Sequence, residues 1–196
     1  KTAPALQAAE RPALPSGAIT LEKIGAALGA LLPENAVVVD ESVTSGRGFA
    51  PFTAGAPPHD WITNMGGSIG FSMPAAIGAA IAAPGRKVVC LSGDGSAFYT
   101  LQSLWTMARE KLDIVTVVFA NRSYAILRGE LAGVGAGNPG PKAIDMLTLD
   151  RPDPDWVHLA TGMGVAASRA TDIDQLARAL KAAFAERGPH LIELVM

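Results

Sequence analysis

Three short runs of apolar residues place the tightest constraint on how this chain can fold. The runs lie at 36–39, 87–92 and 113–120, and none alternates apolar with polar residues as a half-exposed strand would. Uninterrupted β-branched runs are typical of parallel strands that are covered on both faces. Helical patterns lie between the runs, so we predict an α/β fold: a three-layer, doubly wound, largely parallel sheet with helices on both faces.

Other stretches extend this alternation of helices and strands. Helices are predicted after the capping residue Thr20, from Ser72 to Ala83, along the apolar face of Leu101, Leu104, Trp105 and Ala108, from Asp155 to Gly162, and after Asp172. Two further strands are predicted at 165–167 and 190–195. The long segment 46–67 is rich in glycine and proline, and we predict that it is a loop. The segment from 122 to about 141 is rich in glycine, and no helix or strand is predicted for it.

Composition excludes several classes of function. Hydrophobic residues make up 49% and charged residues 17% of the 196 residues, as in globular chains. The net charge of −2 and the scattered basic residues predict no binding to nucleic acid or to an anionic membrane. No signal peptide or transmembrane stretch is visible, and a lone cysteine, Cys90, cannot form an internal disulfide, so we expect a reducing, cytoplasmic location.

The beginning of the chain differs in character from the rest. Residues 1–18 are rich in alanine and proline and start with Lys1 rather than methionine. We therefore expect a linker from a missing upstream domain. Residues 19–196 are predicted to form one domain, because their length suffices for a sizeable core.

Polar clusters follow three of the predicted strands directly. They lie at 40–45, 93–96 and 121–124. In doubly wound sheets, ligands bind outside the carboxyl ends of the strands. The three clusters are therefore expected to meet in one crevice.

The second cluster places Asp94 between Gly93 and Gly95, which suits a metal–phosphate site. Glycines allow the backbone to approach phosphate oxygens closely, and a carboxylate is a good ligand for Mg²⁺. Asp-Gly is also a common turn dipeptide. On these residues alone, a phosphate or metal site and a plain turn both stay open.

Taken with its surroundings, this motif resembles that of thiamine-diphosphate-dependent enzymes of the pyruvate oxidase, acetolactate synthase and benzoylformate decarboxylase type. Gly93-Asp94-Gly95 is followed by twenty-five residues and then by Asn121. The segment 64–79 resembles the family's stretch beside the aminopyrimidine ring, and 39–42 resembles its diphosphate loop. The resemblance runs from about residue 19 to residue 196, and it implies the C-terminal, diphosphate-binding domain with the thiamine-diphosphate-binding fold.

The resemblance also implies which residues bind the cofactor. The Mg²⁺ ligands would be Asp94, Asn121 and the carbonyl of Ser123. The implied cofactor-binding residues are Thr44, Ser45, Gly67, Ser68, Ile69, Gly93, Asp94, Gly95, Ser96, Asn121, Ser123, Tyr124 and Ala125. Ile69 would lie under the V-shaped cofactor, and the carbonyl of Gly67 would accept a hydrogen bond from its amino group. A packing role in the core is the alternative for Ile69.

Two departures from the family pattern qualify what the resemblance implies. Arg122 stands where many relatives have a second asparagine, although metal binding needs only Asn121. The stretch 124–131 lacks the Gln-Trp-containing segment of the biosynthetic acetolactate synthases, which puts acetolactate formation itself in doubt.

The family's catalytic glutamate lies in a separate N-terminal domain, so no catalytic residue is assigned in this chain. Glu41 lies in the wrong domain to be matched to it. We therefore expect the chain alone to be inactive.

The function implied is that of a thiamine-diphosphate- and Mg²⁺-binding C-terminal domain of a 2-oxo acid decarboxylase or carboligase, most like an acetolactate synthase large subunit. A benzoylformate-decarboxylase-like lyase and a non-catalytic phosphate- or nucleotide-binding module are the alternatives. The implied partners are a 2-oxo acid substrate, the N-terminal domains of the same protein and further copies in a homodimer or homotetramer. The full-length protein could also bind FAD.

Among the histidines, only His59 is a candidate for the cleft, since His158 and His190 are expected to be structural.

Overall fold

The computed structural model describes residues 10–46 and 48–196 of the chain. Within them, six strands form one sheet in the order β2-β1-β3-β4-β6-β5, and every neighbouring pair is parallel. The strands are β1 Val37–Glu41, β2 Asp60–Thr63, β3 Val88–Gly93, β4 Ile114–Ala120, β5 Ala166–Ala170 and β6 His190–Val195. The predicted α/β class with a parallel sheet is confirmed.

Helices connect these strands across both faces of the sheet. They are α1 Leu21–Leu31, α2 Phe49–Phe52, α3 Ser72–Ala82, α4 Asp94–Ala97, α5 Ser103–Arg109, α6 Ala125–Gly133, α7 Pro141–Met146, α8 Trp156–Gly162 and α9 Ile173–Ala185, with short 3₁₀ turns at Val43–Ser45 and Phe98–Thr100. Within the described ranges, no helix is both long and apolar enough to span a bilayer.

The core has two halves, one on each face of the sheet. On one face, α1 and α9 bury residues such as Ile24 and Leu176 against strand side chains that include Phe119. On the other face, α3, α5 and α8 bury residues that include Met73 and Trp156. These two layers of helices and the sheet between them are the three layers that the sequence predicts.

Side-chain caps fix the starts of three helices. Thr20 accepts a hydrogen bond from the amide of Lys23 at α1, and Asp172 accepts one from the amide of Gln175 at α9. Asp155 caps α8 in the same way. Such caps satisfy amides that the helix leaves without partners, which explains why these polar residues predict the helix starts.

The segment 46–67 is not the continuous loop that its glycines and prolines predict. It contains α2 and the edge strand β2, which pairs in parallel with β1. Most residues of β2 are exposed, so its four residues lack the apolar run that marks the central strands. The strand is present because the free edge of β1 supplies a partner, a tertiary effect that local sequence does not report.

The helices differ from the predicted ones in two respects. The glycine-rich segment 122–141, for which no helix is predicted, contains α6 and the start of α7; neither helix buries a residue, and both are rich in glycine or proline neighbours. In α5, Leu104 and Met107 are fully buried, whereas Trp105 is 54% exposed and stacks against Arg109. The buried stripe of α5 is therefore rotated away from Trp105.

Cys90 lies in the middle of β3 and is completely buried. Burial raises the pKa of its thiol to about 12, because the surroundings disfavour the thiolate. The side chain acts as a small core residue, as the sequence predicts.

Candidate functional site

Strand register brings the three polar clusters to one edge of the sheet. Glu41 at the end of β1 lies opposite Ser92, and Gly93 at the end of β3 lies opposite Phe119. The residues that follow these strands therefore leave the sheet side by side at its carboxyl end. The three clusters thus come together at this edge, as expected from the sequence, and we call the region between them the crevice.

Asp94 is a buried charged group of this crevice, with an exposed fraction of 1%. Its Oδ1 accepts a hydrogen bond of 2.9 Å from the amide of Gly95, and its Oδ2 accepts one of 2.6 Å from the amide of Arg122. Burial raises the pKa of the carboxyl to about 6, although the two amide hydrogen bonds act in the opposite direction. A desolvated carboxylate held in this way is a favourable ligand for a cation.

Asn121 connects the loops that follow β4 and β1. Its Nδ2 donates to Oγ of Ser45 at 3.2 Å, and its Oδ1 accepts from the amide of Ser123 at 2.9 Å. Ser123 in turn donates from Oγ to the carbonyl of Leu147. The predicted metal ligands Asp94, Asn121 and Ser123 thus lie on two adjacent, mutually bonded loops.

The oxygen-rich character of this set limits which metals fit. No group of three His, Cys, Asp or Glu side chains suited to a metal lies within the described ranges. The predicted ligands are instead one carboxylate, one carboxamide and one main-chain carbonyl. Oxygen donors completed by phosphate and water suit Mg²⁺ and do not form a thiolate or imidazole site.

Arg122 adopts a left-handed conformation, with φ of 55°. Asparagine enters this region more readily than most residues, which gives a conformational reason for the asparagine of many relatives. The guanidinium of Arg122 forms an ion pair with Asp153 at 2.9 Å and is partly exposed. The residue therefore directs its main-chain amide to Asp94, while its charge pairs with Asp153.

Tyr124 packs closely on Gly95. A Cβ atom placed at Gly95 would lie 3.0 Å from the tyrosine ring, so this contact favours glycine. The amide of Tyr124 donates to the carbonyl of Leu147, and Ala125 begins α6 directly afterwards. The start of α6 is therefore fixed in place. The amides of its first turn have no partner within the helix, and such amides are favourable hydrogen-bond donors to phosphate.

The cluster after β1 is also strained. Val43 has φ of 46°, a rare conformation for a β-branched residue, and it opens the 3₁₀ turn that carries Thr44 and Ser45. Asp40 accepts hydrogen bonds from both the amide and the hydroxyl of Ser42 just before this turn. Local strain that the surroundings maintain is frequent at binding sites.

We call residues 64–70 the ring-side segment, because the resemblance implies that they lie beside the aminopyrimidine ring; this segment is open, unlike the buried surroundings of Asp94. Gly66 and Gly67 both have φ of 70°, and no atom lies within 4 Å of a Cβ placed on either. Asn64 closes the turn through two hydrogen bonds with the main chain of Ser68. Ile69 is 54% exposed, so the alternative that it packs in the core is wrong for this chain.

Glu41 is a residue of this edge to which the sequence analysis gave no role. It is 1% exposed, and its carboxylate accepts hydrogen bonds from the amides of Gly70 at 2.6 Å and Ser72 at 2.8 Å. The available signal was its position in the sequence, since only Asp40 separates Glu41 from the apolar run 36–39. Gly70 also accepts a hydrogen bond from Oγ1 of Thr100, so three separate elements meet here.

The histidines lie away from the crevice. His59 precedes the first residue of β2 at the amino end of the sheet, where it contacts the carbonyl of Pro57 and Oγ1 of Thr53. It does not approach the cleft. His190 contacts Ser168, and His158 is an exposed residue of α8 bonded to Asp155.

Two grooves on the surface differ in their relation to this edge. An open groove of about 470 Å³ lies at the amino end, lined by Asn35, Pro58, His59, Asp60 and Arg86. Its charged groups already pair with each other, because Arg86 contacts Asp60 at 2.7 Å. A smaller groove of about 260 Å³ lies at the carboxyl ends of β1 and β2 and includes Glu41 and Asn64. The second groove adjoins the crevice, and the first does not.

A doubly wound fold with a buried carboxylate, an asparagine and glycine-rich turns at its carboxyl edge is characteristic of a protein that binds a phosphorylated ligand with a hard cation. Comparison with known families makes the class specific. Residues 44–194 match the family described as "Thiamine pyrophosphate enzyme, C-terminal TPP binding domain". The chain belongs to this family, as the motifs predict.

Individual relatives agree with this assignment. The "Putative acetolactate synthase large subunit IlvX" of Mycobacterium tuberculosis is 56% identical over 96% of this chain and 37% of its own length. A benzoylformate decarboxylase of Pseudomonas aeruginosa is 34% identical over 91% of this chain and 32% of its own length. The solved structure of a thiamine diphosphate-dependent 4-hydroxybenzoylformate decarboxylase of Rhodococcus jostii aligns with a TM-score of 0.77 at 30% identity, covering 94% of this chain and 34% of that chain. This chain therefore spans about a third of the length of the relatives that it matches.

Proposed function

We propose that this chain binds thiamine diphosphate together with Mg²⁺ and serves as the C-terminal domain of a 2-oxo acid decarboxylase or carboligase. The observation that carries the proposal is the buried carboxylate of Asp94, which lies between two loops at the carboxyl edge and is bonded to the amide next to Asn121. A buried carboxylate with a raised pKa gains most from a bound cation, because the cation offsets the desolvation of the charge.

The residues present fit a metal–diphosphate group. Asp94, the carboxamide of Asn121 and the carbonyl of Ser123 would bind the metal. The hydroxyls of Thr44 and Ser45 and the main chain around Gly95 and Ser96 would hold phosphate oxygens, together with Tyr124 and Ala125. Gly93 has no side chain, and a Cβ placed there would meet no neighbouring atom within 4 Å, so its main chain is accessible to a ligand.

The open segment fits the ring half of the same ligand. Gly67 and Ser68 would contact the ring through their main chain, which no neighbouring side chain covers at Gly67. Ile69 offers an exposed apolar surface next to it. When bound, thiamine diphosphate supplies a nucleophilic carbon and an electron sink for 2-oxo acid chemistry, whereas this chain binds it, orients its two halves and shields them from water.

The most similar activity is that of an acetolactate synthase large subunit, supported by the 56% identity to IlvX. A benzoylformate-decarboxylase-like lyase is the second candidate, supported by the match to the Pseudomonas relative and by the Rhodococcus structure. Both activities begin with the decarboxylation of a 2-oxo acid, and they differ in the compound that reacts with the product of this step. The acyl acceptor would depend partly on the stretch 124–131 and partly on residues outside this chain.

The partners proposed are the N-terminal domains of the same protein and further copies in a homodimer or homotetramer. Large apolar side chains are exposed on the described surface, including Met65 at 80%, Ile81 at 62% and Trp105 at 54%. Large apolar side chains that are exposed in this way are suited to contact with another protein surface. The catalytic glutamate of the family would come from such an N-terminal domain, which could also carry FAD in the full-length protein.

Calorimetric titration of the chain with thiamine diphosphate, with and without Mg²⁺, tests the proposal. Metal-dependent binding that is lost in Asp94→Ala is the expected result. Asp60→Ala is the matched control, because Asp60 is an exposed aspartate at the opposite end of the sheet and its removal should leave binding unchanged. Binding without metal would favour the alternative of a phosphate- or nucleotide-binding module, and the absence of binding would contradict the proposal.

A further inference from the structure

The carboxylate of Glu41 is buried at the carboxyl edge, yet it lies outside the residues proposed to hold the cofactor. No basic side chain is bonded to it within the described ranges, and both of its oxygens accept main-chain amides instead. Burying a carboxylate is costly unless hydrogen bonds replace its hydration. Amide donors to an ionised group form strong hydrogen bonds, so this pairing fixes the donors tightly.

The donors belong to the segment that leads out of the ring-side turn. Gly70 directly follows Ile69, and Ser72 is the first residue of α3. Gly70 has φ of 84°, and a Cβ there would lie 2.6 Å from Cβ of Tyr99. Its conformation and its small size are therefore both required where Glu41 holds it.

Gly70 is also bonded to the segment that begins with Asp94, which is the part of the site proposed to hold the diphosphate. Oγ1 of Thr100 donates to the carbonyl of Gly70 at 2.8 Å, and Thr100 ends the 3₁₀ turn that directly follows α4, the helix begun by Asp94. Glu41 binds the amide of Gly70 and Thr100 binds its carbonyl. One peptide segment is thus held from β1 on one side and from the Asp94 turn on the other.

We propose that Glu41 is a positioning residue, which sets the place of Gly67 and Ile69 relative to the Asp94 site. This inference rests on the proposed function, since it assigns the two sides to the two halves of thiamine diphosphate. A glutamine at this position would keep one acceptor and turn an NH₂ donor towards an amide that needs an acceptor. The segment would then move, whereas the metal–diphosphate loops would keep their own hydrogen bonds.

The test compares two probes that share the diphosphate and differ in the ring. Affinities of the chain for thiamine diphosphate and for inorganic diphosphate, each with Mg²⁺, are measured by calorimetry for the wild type and for Glu41→Gln. We expect roughly a tenfold loss for thiamine diphosphate, on the scale of a hydrogen bond to a charged group, and less than about a twofold change for inorganic diphosphate. Equal losses for both probes, or no loss for either, would overturn the inference.

Glu193→Gln is the matched control, because Glu193 is equally buried, in β6, but is bonded to Arg169 rather than to this segment. This variant should not change the affinity for thiamine diphosphate more than the affinity for inorganic diphosphate. If Glu41→Gln does not fold, Thr100→Val repeats the comparison from the other side of Gly70, and the absence of a split in that variant would overturn the inference as well. A wild type that binds thiamine diphosphate without any effect of Glu41→Gln contradicts the positioning role alone, whereas a wild type that binds neither probe contradicts the proposed function and with it the inference.

Discussion

The amide of Arg122 donates a hydrogen bond of 2.6 Å to the carboxylate of Asp94. The bond joins the loop after β4 to the first residue after β3, across two strands that pair in register up to Gly93 and Phe119. It depends on the left-handed conformation of Arg122 and on the burial of Asp94. The properties of both residues lead to predictions that can be measured separately.

Ionisation of Asp94 should cost stability in the absence of metal. Its pKa is raised from 3.8 to about 6, so the folded chain holds the proton more tightly than the unfolded chain between these values. Stability from this group is therefore fully present below pH 3.8 and is lost as the pH rises from there through 6, by up to about 3 kcal/mol in total. Denaturant unfolding at several pH values checks this.

Asp94→Asn serves as the reference for that measurement, since its side chain cannot ionise while the other carboxyls titrate as before. The stability of the wild type relative to that of Asp94→Asn should therefore decrease as the pH rises through this range. Addition of Mg²⁺ and thiamine diphosphate at pH 7 should recover stability in the wild type only. A pH-independent difference would show that Asp94 is not desolvated as described.

Arg122→Asn should be more stable than Arg122→Ala by about 1 kcal/mol, because alanine is disfavoured in the left-handed region and asparagine is tolerated there. Both variants lose the ion pair with Asp153, so its contribution cancels in the comparison. Metal-dependent binding of the cofactor should survive in Arg122→Asn. Equal stabilities in thermal unfolding would argue against the conformational explanation.

Gly70→Ala should destabilise the chain by about 2–3 kcal/mol, since the new methyl group meets Tyr99 in addition to the strain of a positive φ. Gly66→Ala is the matched control: its φ is also positive, at 70°, but its Cβ would be in open space. We expect it to cost only about 1 kcal/mol. Chemical denaturation of the two variants gives the difference, and a larger loss for Gly66→Ala would contradict the packing described.

Ile69→Ala should change stability by less than about 0.5 kcal/mol, because the side chain is 54% exposed. Its affinity for thiamine diphosphate should fall by roughly tenfold as apolar contact with the ring is lost. Ile81→Ala removes a similarly exposed isoleucine on α3, with an exposed fraction of 62%, and should leave the affinity unaltered. Titration of both variants decides whether the exposed surface of Ile69 is part of the binding site.

The central part of the fold could be predicted from the sequence because its signals are local. The runs that became β3 and β4 are buried almost throughout, and Thr20 and Asp172 cap helices as their positions suggest. The strand β2 could not be predicted in this way. Its pairing with β1 depends on a distant edge, and its exposed residues carry no buried pattern.

The candidate site shows the same division. Asp94 and Asn121 were identified because each directly follows a predicted strand and because their spacing resembles a known motif. The role of Glu41 was missed, since its partners are main-chain amides 29 and 31 residues further along the chain, and main-chain donors leave no trace in residue type. The left-handed conformation of Arg122 could not be predicted from the sequence either, because arginine is not a residue type that favours this conformation.

The burial of Cys90 gives the chain an internal reporter of its own opening. The thiol lies in β3, four residues before Asp94, and with its pKa at about 12 it is protected from alkylation while the strand is in place. No other cysteine competes for the reagent. The labelling rate at Cys90 therefore measures how often the strand that carries Asp94 leaves the sheet, and a ligand that binds at the end of this strand should slow that rate without touching the sulfur.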